Sequence, residues 1–275
     1  MIAEMWALWQ AKSGNPESEY EDACSYSEGF SATRARAAVA DGASTAFEAQ
    51  SWVNLLVRRF LDASGPSLDA NAFGEWLAAV QHEWSQRTSS AEAAATDSIY
   101  SVYDDDRGDE GSYGTFLGFE LGDLDGDGRA SWWQALSIGD TVLFHVRAGT
   151  LVGQSPMLRA DDFGRGPSLV HSSSEWLRSD CSAIVLDRGG PLLDGDVVLV
   201  ATDAIAAWML RRHEAGVPVW DLAAGLDAAR FAELVSALRA NGELVNDDVT
   251  VLVTRVTARR GGQQASRAQQ EGGAR

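Results

Sequence analysis

Residues 196–203 read Asp-Val-Val-Leu-Val-Ala-Thr-Asp, an apolar run with an aspartate at each end. Five consecutive aliphatic residues bounded by polar ones are typical of a strand that is buried on both faces. Aspartate is rare inside strands, so Asp203 marks the point where this one ends. The run therefore predicts a central strand of a sheet that carries a carboxylate at its C-terminal end.

Further aspartates also stand at the ends of predicted strands, namely Asp22, Asp41, Asp247 and Asp248. Strand ends hold their residues in fixed positions, so these carboxylates can converge in one cleft. Converging carboxylates repel each other unless protons or cations lie between them. Oxygen ligands without histidine or cysteine favour Mg²⁺ or Mn²⁺. Each aspartate alone is equally typical of a turn or a helix cap, but the set together favours a cation site.

The predicted elements run in the order strands, two helices, several strands, two helices and a last strand. Apolar residues at helical spacing predict a helix that begins near Phe47, with Ser44 or Thr45 as its N-cap. This order is not a regular βαβ alternation, and it indicates an α+β fold with antiparallel sheets and helices packed outside. We expect one domain over residues 1–257. Residues 258–275 lack apolar periodicity and are expected to form a disordered tail.

The composition excludes several classes of protein. The 275 residues include 40 acidic and 22 basic ones, a net charge of −18, and the single lysine is Lys12. A Schiff-base enzyme, a protein kinase or a phosphate-loop protein would need that lysine, and its neighbours lack the glycine pattern of a phosphate loop. An acidic body also argues against nucleic acid or an anionic membrane as a partner.

No apolar run approaches the roughly 18 residues of a membrane-spanning helix. The distant Cys24 and Cys181 indicate reduced thiols and a cytoplasmic location.

Six short motifs occur along the chain: Glu21-Asp22-Ala23, Val39-Ala40-Asp41-Gly42-Ala43-Ser44, Gly114-Thr115, Ser137-Ile138-Gly139-Asp140, the stretch 196–203, and Asp247-Asp248-Val249-Thr250-Val251. Their order resembles that of the metal-dependent 2C-type Ser/Thr protein phosphatases, over roughly residues 5 to 257. The resemblance implies a β-sandwich of two antiparallel sheets flanked by helices. It also implies two Mn²⁺ or Mg²⁺ ions, with a third in bacterial members. The implied substrate is a protein phosphorylated on serine or threonine by a cognate kinase.

The resemblance assigns a role to each acidic residue of these motifs. Asp41 looks like the carboxylate that bridges two cations, and Gly42 looks like a ligand through its backbone carbonyl. Asp203 and Asp247 look like the remaining ligands of one cation, and Glu21 looks like a contact of the other. No cysteine motif or Ser/His/Asp pattern competes with this assignment as a source of a nucleophile.

Two further aspartates have less direct roles in the resemblance. Asp22 matches the acid that hydrogen-bonds to metal-bound water. Asp140 matches the residue that helps to hold a third cation in bacterial members, although Gly139-Asp140 is also typical of a plain hairpin turn.

The chain departs from the family pattern at several positions. Many members carry an arginine shortly before the Glu-Asp pair, where it binds the substrate phosphate, and residues 17–20 contain none. Lys12 could take over that role, or it could be an exposed lysine without one. Ala204 stands where a glycine is usual, and Asp248 replaces a common asparagine but keeps an oxygen acceptor.

A second acidic motif lies at residues 123–128, Asp-Leu-Asp-Gly-Asp-Gly. It has the first ligands and the glycine of a calcium-binding loop, but its twelfth position is Gln134 instead of glutamate. Its place between two predicted strands favours a hairpin connection, with incidental Ca²⁺ binding as the alternative.

The leading interpretation is a cytoplasmic phosphatase that acts on phosphoserine and phosphothreonine in proteins. A catalytically weak module that uses the same fold to bind phosphoproteins is the alternative, because the upstream arginine is missing and Ala204 replaces a usual glycine. A phosphatase of small phosphorylated metabolites is a third reading. The substrate protein is not identified by the sequence.

Overall fold

The computed structural model describes residues 2–27, 34–44, 46, 48–95, 111–123, 131–173 and 183–257. Four sequence-based predictions lie wholly or mostly outside these residues. They concern the tail 258–275, the acidic loop 123–128, Thr45 as a helix cap and the thiol of Cys181.

The described residues form twelve strands and five α-helices. The strands are β1 Ile2–Gln10, β2 Asp22–Tyr26, β3 Arg34–Asp41, β4 Tyr113–Gly114, β5 Phe116–Asp123, β6 Ser131–Ile138, β7 Val142–Arg147, β8 Thr150–Ser155, β9 Val170–His171, β10 Val185–Leu192, β11 Val197–Ala201 and β12 Val249–Thr257. The helices are α1 Ala49–Leu61, α2 Ala70–Ala95, α3 Asp203–Glu214, α4 Trp220–Ala224 and α5 Ala228–Ala240.

Ten of these strands form two five-stranded sheets. One sheet has the order β1-β12-β11-β7-β8 and the other the order β10-β6-β5-β3-β2, while β4 and β9 form a separate small pair. Every strand pairing is antiparallel. The sheets face each other across a buried aliphatic layer to which both contribute, including Val39, Leu117, Leu143, Val198 and Leu252.

The helices cover the outer faces of this sandwich. Apolar residues of α3 and α5 pack on the sheet that contains β11, and those of α1 and α2 pack on the sheet that contains β3. The structure therefore confirms the predicted α+β fold, a β-sandwich of two antiparallel sheets flanked by helices. None of the described helices is both long and apolar enough to span a membrane.

The position of β11 explains why the stretch 196–203 is continuously apolar between its polar ends. Val198 and Val200 point into the layer between the sheets, whereas Leu199 and Ala201 point toward the helices. All four side chains are fully buried, because β11 lies in the middle of its sheet and both of its faces are covered. The prediction of a strand buried on both faces is confirmed.

The predicted N-cap of α1 is wrong at Ser44. The helix begins at Ala49, and Glu48 precedes it with a left-handed φ of 47°. The Ser44 hydroxyl lies away from the helix end and donates a hydrogen bond to Oε2 of Glu21 at 2.5 Å. A side chain that could cap a helix is engaged instead by Glu21, the charged residue that precedes β2.

Candidate functional site

The aspartates at the strand ends meet at one edge of the sandwich. Asp22 and Asp41 are direct partners across the antiparallel pair β2 and β3. Thr202 and Thr250, from the opposite sheet, both donate hydroxyl hydrogen bonds to Oδ2 of Asp22, at 3.1 and 2.6 Å. These bonds join the two sheets at the point where β2, β11 and β12 come together.

Asp22 is the most enclosed of these acids, with 3% of its surface exposed. Its Oδ1 atom is buried and finds no hydrogen-bond donor among the described residues. Burial raises the pKa of Asp22 to about 7, and the charges of Asp248 and Asp203 add to the rise, although the hydroxyls of Thr250 and Thr202 oppose it. A buried carboxylate oxygen without a donor is costly unless water or a cation satisfies it.

The neighbouring aspartates are perturbed in the same direction. Burial, followed by the charges of Asp22, Asp203 and Asp247, raises the pKa of Asp41 well above its usual value. The pKa of Asp203 rises to about 7, through burial and then through the charges of Asp140 and Asp247. Burial alone raises the pKa of Asp140 to about 6. Asp41 thus lies within electrostatic range of Asp22, Asp203 and Asp247, and Asp203 lies within range of Asp140.

Gly42 allows the backbone to pass close to this cluster. Its N–H donates to the carbonyl of Glu21 at 3.2 Å, and a Cβ built at Gly42 would lie 2.8 Å from that same oxygen. The first residue of α1, Ala49, is nearly as close on the other side. A side chain at position 42 would therefore push apart the strand end and the helix start that line the site.

Lys12 is held at the rim of the cluster. Its Nζ donates to Oε2 of Glu21 at 3.0 Å and to Oγ of Ser44 at 3.1 Å, and it lies 3.9 Å from Oδ1 of Asp247. Burial alone would lower the pKa of Lys12, but the hydrogen bond and charge of Glu21 outweigh it and raise that pKa. Only 19% of the Lys12 side chain is exposed. Lys12 is therefore a charged, fixed part of the rim and does not fit the reading of an exposed lysine.

The loop that carries Lys12 is fixed at its next residue as well. The amide of Ser13 donates to Oδ1 of Asn246 at 2.7 Å, and Nδ2 of Asn246 donates back to the carbonyl of Ser13 at 3.1 Å. This reciprocal pair ties the loop after β1 to the residues that precede β12.

Two surface clefts adjoin the cluster on different sides. One of about 440 Å³ is lined by polar side chains that include Lys12, Glu21 and Ser44. The other, of about 570 Å³, is lined by Asp140, by Arg165 and by apolar residues of the segment after β8. Glu21 thus borders the first cleft and Asp140 borders the second.

The residues present fit a hard divalent cation by their chemistry. The ligand atoms are carboxylate oxygens, their pKa values are raised by burial and then by mutual repulsion, and Asp22 keeps an unsatisfied oxygen. Cations remove such repulsion, and Mg²⁺ and Mn²⁺ prefer oxygen ligands. Across the described ranges, no three histidine, cysteine, aspartate or glutamate side chains are already arranged in a group that could hold one ion.

Sequence reasoning missed the neutral residues that hold the acids in place. Thr202 and Thr250 each lie within one of the quoted motifs, where no role was assigned to them, and their hydroxyls reach Asp22 from the other sheet. Tyr20 contributes a hydroxyl that hydrogen-bonds to Thr250, and its own pKa is raised by burial and by the charge of Asp22. A threonine next to a strand-end aspartate was the available signal, but its partner lies about 180 residues or more away in sequence.

Ala204, which replaces an expected glycine, causes no backbone conflict. It lies in the first turn of α3, and its amide donates to the Asp203 carboxylate. A helical φ is negative, so alanine is accommodated there without strain.

Comparison with known proteins finds matches among solved structures only. No family model matches the sequence, and no curated protein sequence matches it either. Among solved structures, the photosystem II phosphatase PBCP is 15% identical with a TM-score of 0.56, and the match covers 94% of this chain and all of that one.

Two bacterial structures are comparably similar. The serine/threonine phosphatase PstP/Ppp of Mycobacterium tuberculosis is 16% identical with a TM-score of 0.54, over 94% of this chain and 100% of that one. The PP2C phosphatase domain of SpoIIE from Bacillus subtilis, with a fragment of its regulatory domain, is 16% identical with a TM-score of 0.55, over 94% of this chain and 64% of that one. The resemblance inferred from the ordered motifs is thereby supported at the level of the fold: the chain has the fold of the bacterial PP2C-type phosphatases.

Proposed function

We propose that this protein is a Mn²⁺- or Mg²⁺-dependent phosphatase that hydrolyses phosphoserine and phosphothreonine in proteins. The observation that carries the proposal is the convergence of Asp22, Asp41 and Asp203, all with raised pKa values, at one edge of a PP2C-type sandwich. Buried acids perturbed by each other are typical of functional sites.

The residues that would hold the cations are those of the strand ends. Asp41 would contact two ions, with Asp203, Asp247, Glu21 and the carbonyl of Gly42 as further ligands. Asp140 would contribute to a third ion, which its closeness to Asp203 supports. When bound, the cations would activate a water molecule and neutralise the phosphoryl oxygens.

Asp22 would act on the attacking water. Its Oδ2 accepts the hydroxyls of Thr202 and Thr250, and its buried Oδ1 has no donor among the described residues, so Oδ1 is the atom that would accept a hydrogen bond from that water. The two threonines fix the plane of the carboxylate, which limits the directions from which that water can be held.

Lys12 would bind the substrate phosphate in place of the missing arginine. Its ammonium has three donor hydrogens, and the structure shows two acceptors at hydrogen-bond distance, Glu21 and Ser44. An incoming phosphate can therefore be met without breaking both contacts.

The cleft beside Lys12 and the cleft beside Asp140 leave room for a polypeptide on either side of the reacting group. We propose a cytoplasmic location and a cognate Ser/Thr kinase that phosphorylates the substrate protein.

The test is hydrolysis of para-nitrophenyl phosphate and of a phosphoserine peptide, with Mn²⁺ and with excess chelator. We expect turnover that requires the cation. The matched variants are Asp41→Asn at the site and Asp161→Asn at an exposed position, which remove the same charge. Activity undiminished in chelator would overturn the metal mechanism. Phosphopeptide binding without any turnover would favour the regulatory module, and turnover of phosphorylated metabolites alone would favour the third reading.

A further inference from the structure

The carboxylate of Asp248 binds two backbone amides that lie nine residues apart. Oδ1 accepts the N–H of Lys12 at 2.7 Å, and Oδ2 accepts the N–H of Glu21 at 2.7 Å. Asp248 itself is 4% exposed, directly before β12. Both of its oxygens are thus committed to short, charge-assisted hydrogen bonds in a buried place.

The two amides belong to the ends of one loop. The chain leaves β1 at Gln10, passes through a short 3₁₀ helix at Glu17–Glu19 and enters β2 at Asp22. Lys12 and Glu21 stand near its two ends, and their side chains meet at 3.0 Å. Asp248 therefore joins the two ends of the loop through their backbone amides, and the Lys12–Glu21 pair joins the same two residues through their side chains.

We propose that Asp248 is a positioning residue that sets the placement of Lys12 and Glu21, and through Lys12 the affinity for the substrate phosphate. The kinetic part of this proposal rests on the proposed function. Asp248 touches no reacting atom; it acts through the two backbone amides that it holds.

The geometry requires two acceptors on one side chain. A carboxylate offers an oxygen to each amide, whereas the amide group of asparagine offers one oxygen and one NH₂ donor. With asparagine at position 248, one backbone N–H would face another donor. One end of the loop would then be released while the size and shape of the side chain stay the same.

The first measurement is amide hydrogen exchange of the full chain by NMR. We expect the amides of Lys12 and Glu21 to be protected in the unmodified protein, and at least one of them to exchange about tenfold faster or more in Asp248→Asn. Asn246→Ala is the matched control, because it releases Ser13 in the same loop and leaves the Asp248 contacts in place. Fast exchange of Lys12 and Glu21 in the unmodified protein would refute the double contact, whether or not the variant folds.

The second measurement is the KM for a phosphoserine peptide with saturating Mn²⁺. Removing a negative charge beside a phosphate site should by itself lower the KM for a dianion. Loss of positioning should instead raise it, by about 2- to 10-fold, with Asn246→Ala close to the unmodified protein. The sign of the change therefore separates positioning from a purely electrostatic effect.

A double-mutant cycle identifies the path of the effect. If Asp248 acts through Lys12, adding Asp248→Asn to Lys12→Ala should raise the KM no further, whereas independent effects would multiply. A lower or unchanged KM in Asp248→Asn, or multiplied effects in the double variant, would overturn the positioning role. Failure of the unmodified protein to hydrolyse any phosphopeptide would overturn the proposed function and with it the kinetic role, and the exchange data would then decide the structural contact alone.

Discussion

Replacing Asp22 by asparagine should stabilise the cation-free protein although it removes a residue of the proposed active site. Asp22 is buried, its pKa is raised to about 7 from 3.8, and it lies near the charges of Asp203 and Asp248. Asparagine can still accept the hydroxyls of Thr202 and Thr250 through its single oxygen. The repulsion and the desolvation of the charge disappear.

The magnitude follows from the raised pKa. An acid whose folded pKa exceeds its unfolded pKa binds a proton in the native state that the unfolded chain has already lost. Stability therefore falls as the pH rises from 3.8 toward 7, and the full cost is present above 7. Three pH units at about 1.4 kcal/mol each give about 4 kcal/mol as an upper value. Part of this cost is the repulsion between Asp22 and Asp203, which is one interaction and is counted once. We therefore expect Asp22→Asn to increase the free energy of unfolding by about 2–4 kcal/mol at pH 8.

The assay is thermal unfolding in excess chelator at pH 8 and at pH 5. Asp22→Asn should raise Tm by roughly 4–16 °C at pH 8, and at pH 5 the gain should shrink to about a third. Asp161→Asn, which removes an exposed charge, should change Tm little at either pH. A Tm lowered by Asp22→Asn at pH 8, or a gain of equal size at both values, would show that Asp22 is not a destabilising buried charge.

Three further predictions concern the cations and the phosphate. Asp41→Asn should lower turnover by about 100-fold or more at saturating Mn²⁺, because one side chain would contact both ions; a folded variant with near-normal turnover contradicts that role. Mn²⁺ at 100 times its Kd should stabilise the protein by about 2.7 kcal/mol, and Asp203→Asn should weaken this response, so an unchanged Tm in a titration of both proteins argues against the site. Lys12→Ala should lower kcat/KM for a phosphopeptide by about 10-fold or more, and Lys12→Arg should retain part of it; equal values for Lys12→Ala and the unmodified protein would remove Lys12 from the mechanism.

The pattern of apolar residues in the sequence best predicts those elements whose burial is uniform along their length. The strand β11, buried on both faces, matches the apolar run that predicted it, because its five aliphatic residues are all buried. The edge strand β8 was not predicted. Its residues are partly exposed on both faces, and the glycine at position 153 weakens the strand signal. Edge strands keep few sequence constraints, since only one side of their backbone is paired.

The candidate site shows a similar limit. The aspartates could be found because several of them stand at the ends of apolar runs, although each one alone is typical of a turn or a helix cap. The contacts that orient them could not be found, since Thr250 is 228 residues from Asp22 and its role depends on how the two sheets face each other. The fixed position of Lys12 likewise depends on Asp248, which only the folded chain brings to the loop.

The direct pairing of Asp22 with Asp41 makes the proposed activity a sensitive reporter of strand alignment. Side chains alternate between faces, so one extra residue in β2 would turn Asp22 away from its partner. Two extra residues would restore the face but displace the carboxylate by about 7 Å along the strand. Insertions of either length after Asp22 within β2, even ones that leave the protein folded, should therefore abolish the site. Changes of length in β8, an edge strand of the other sheet, would leave this alignment intact.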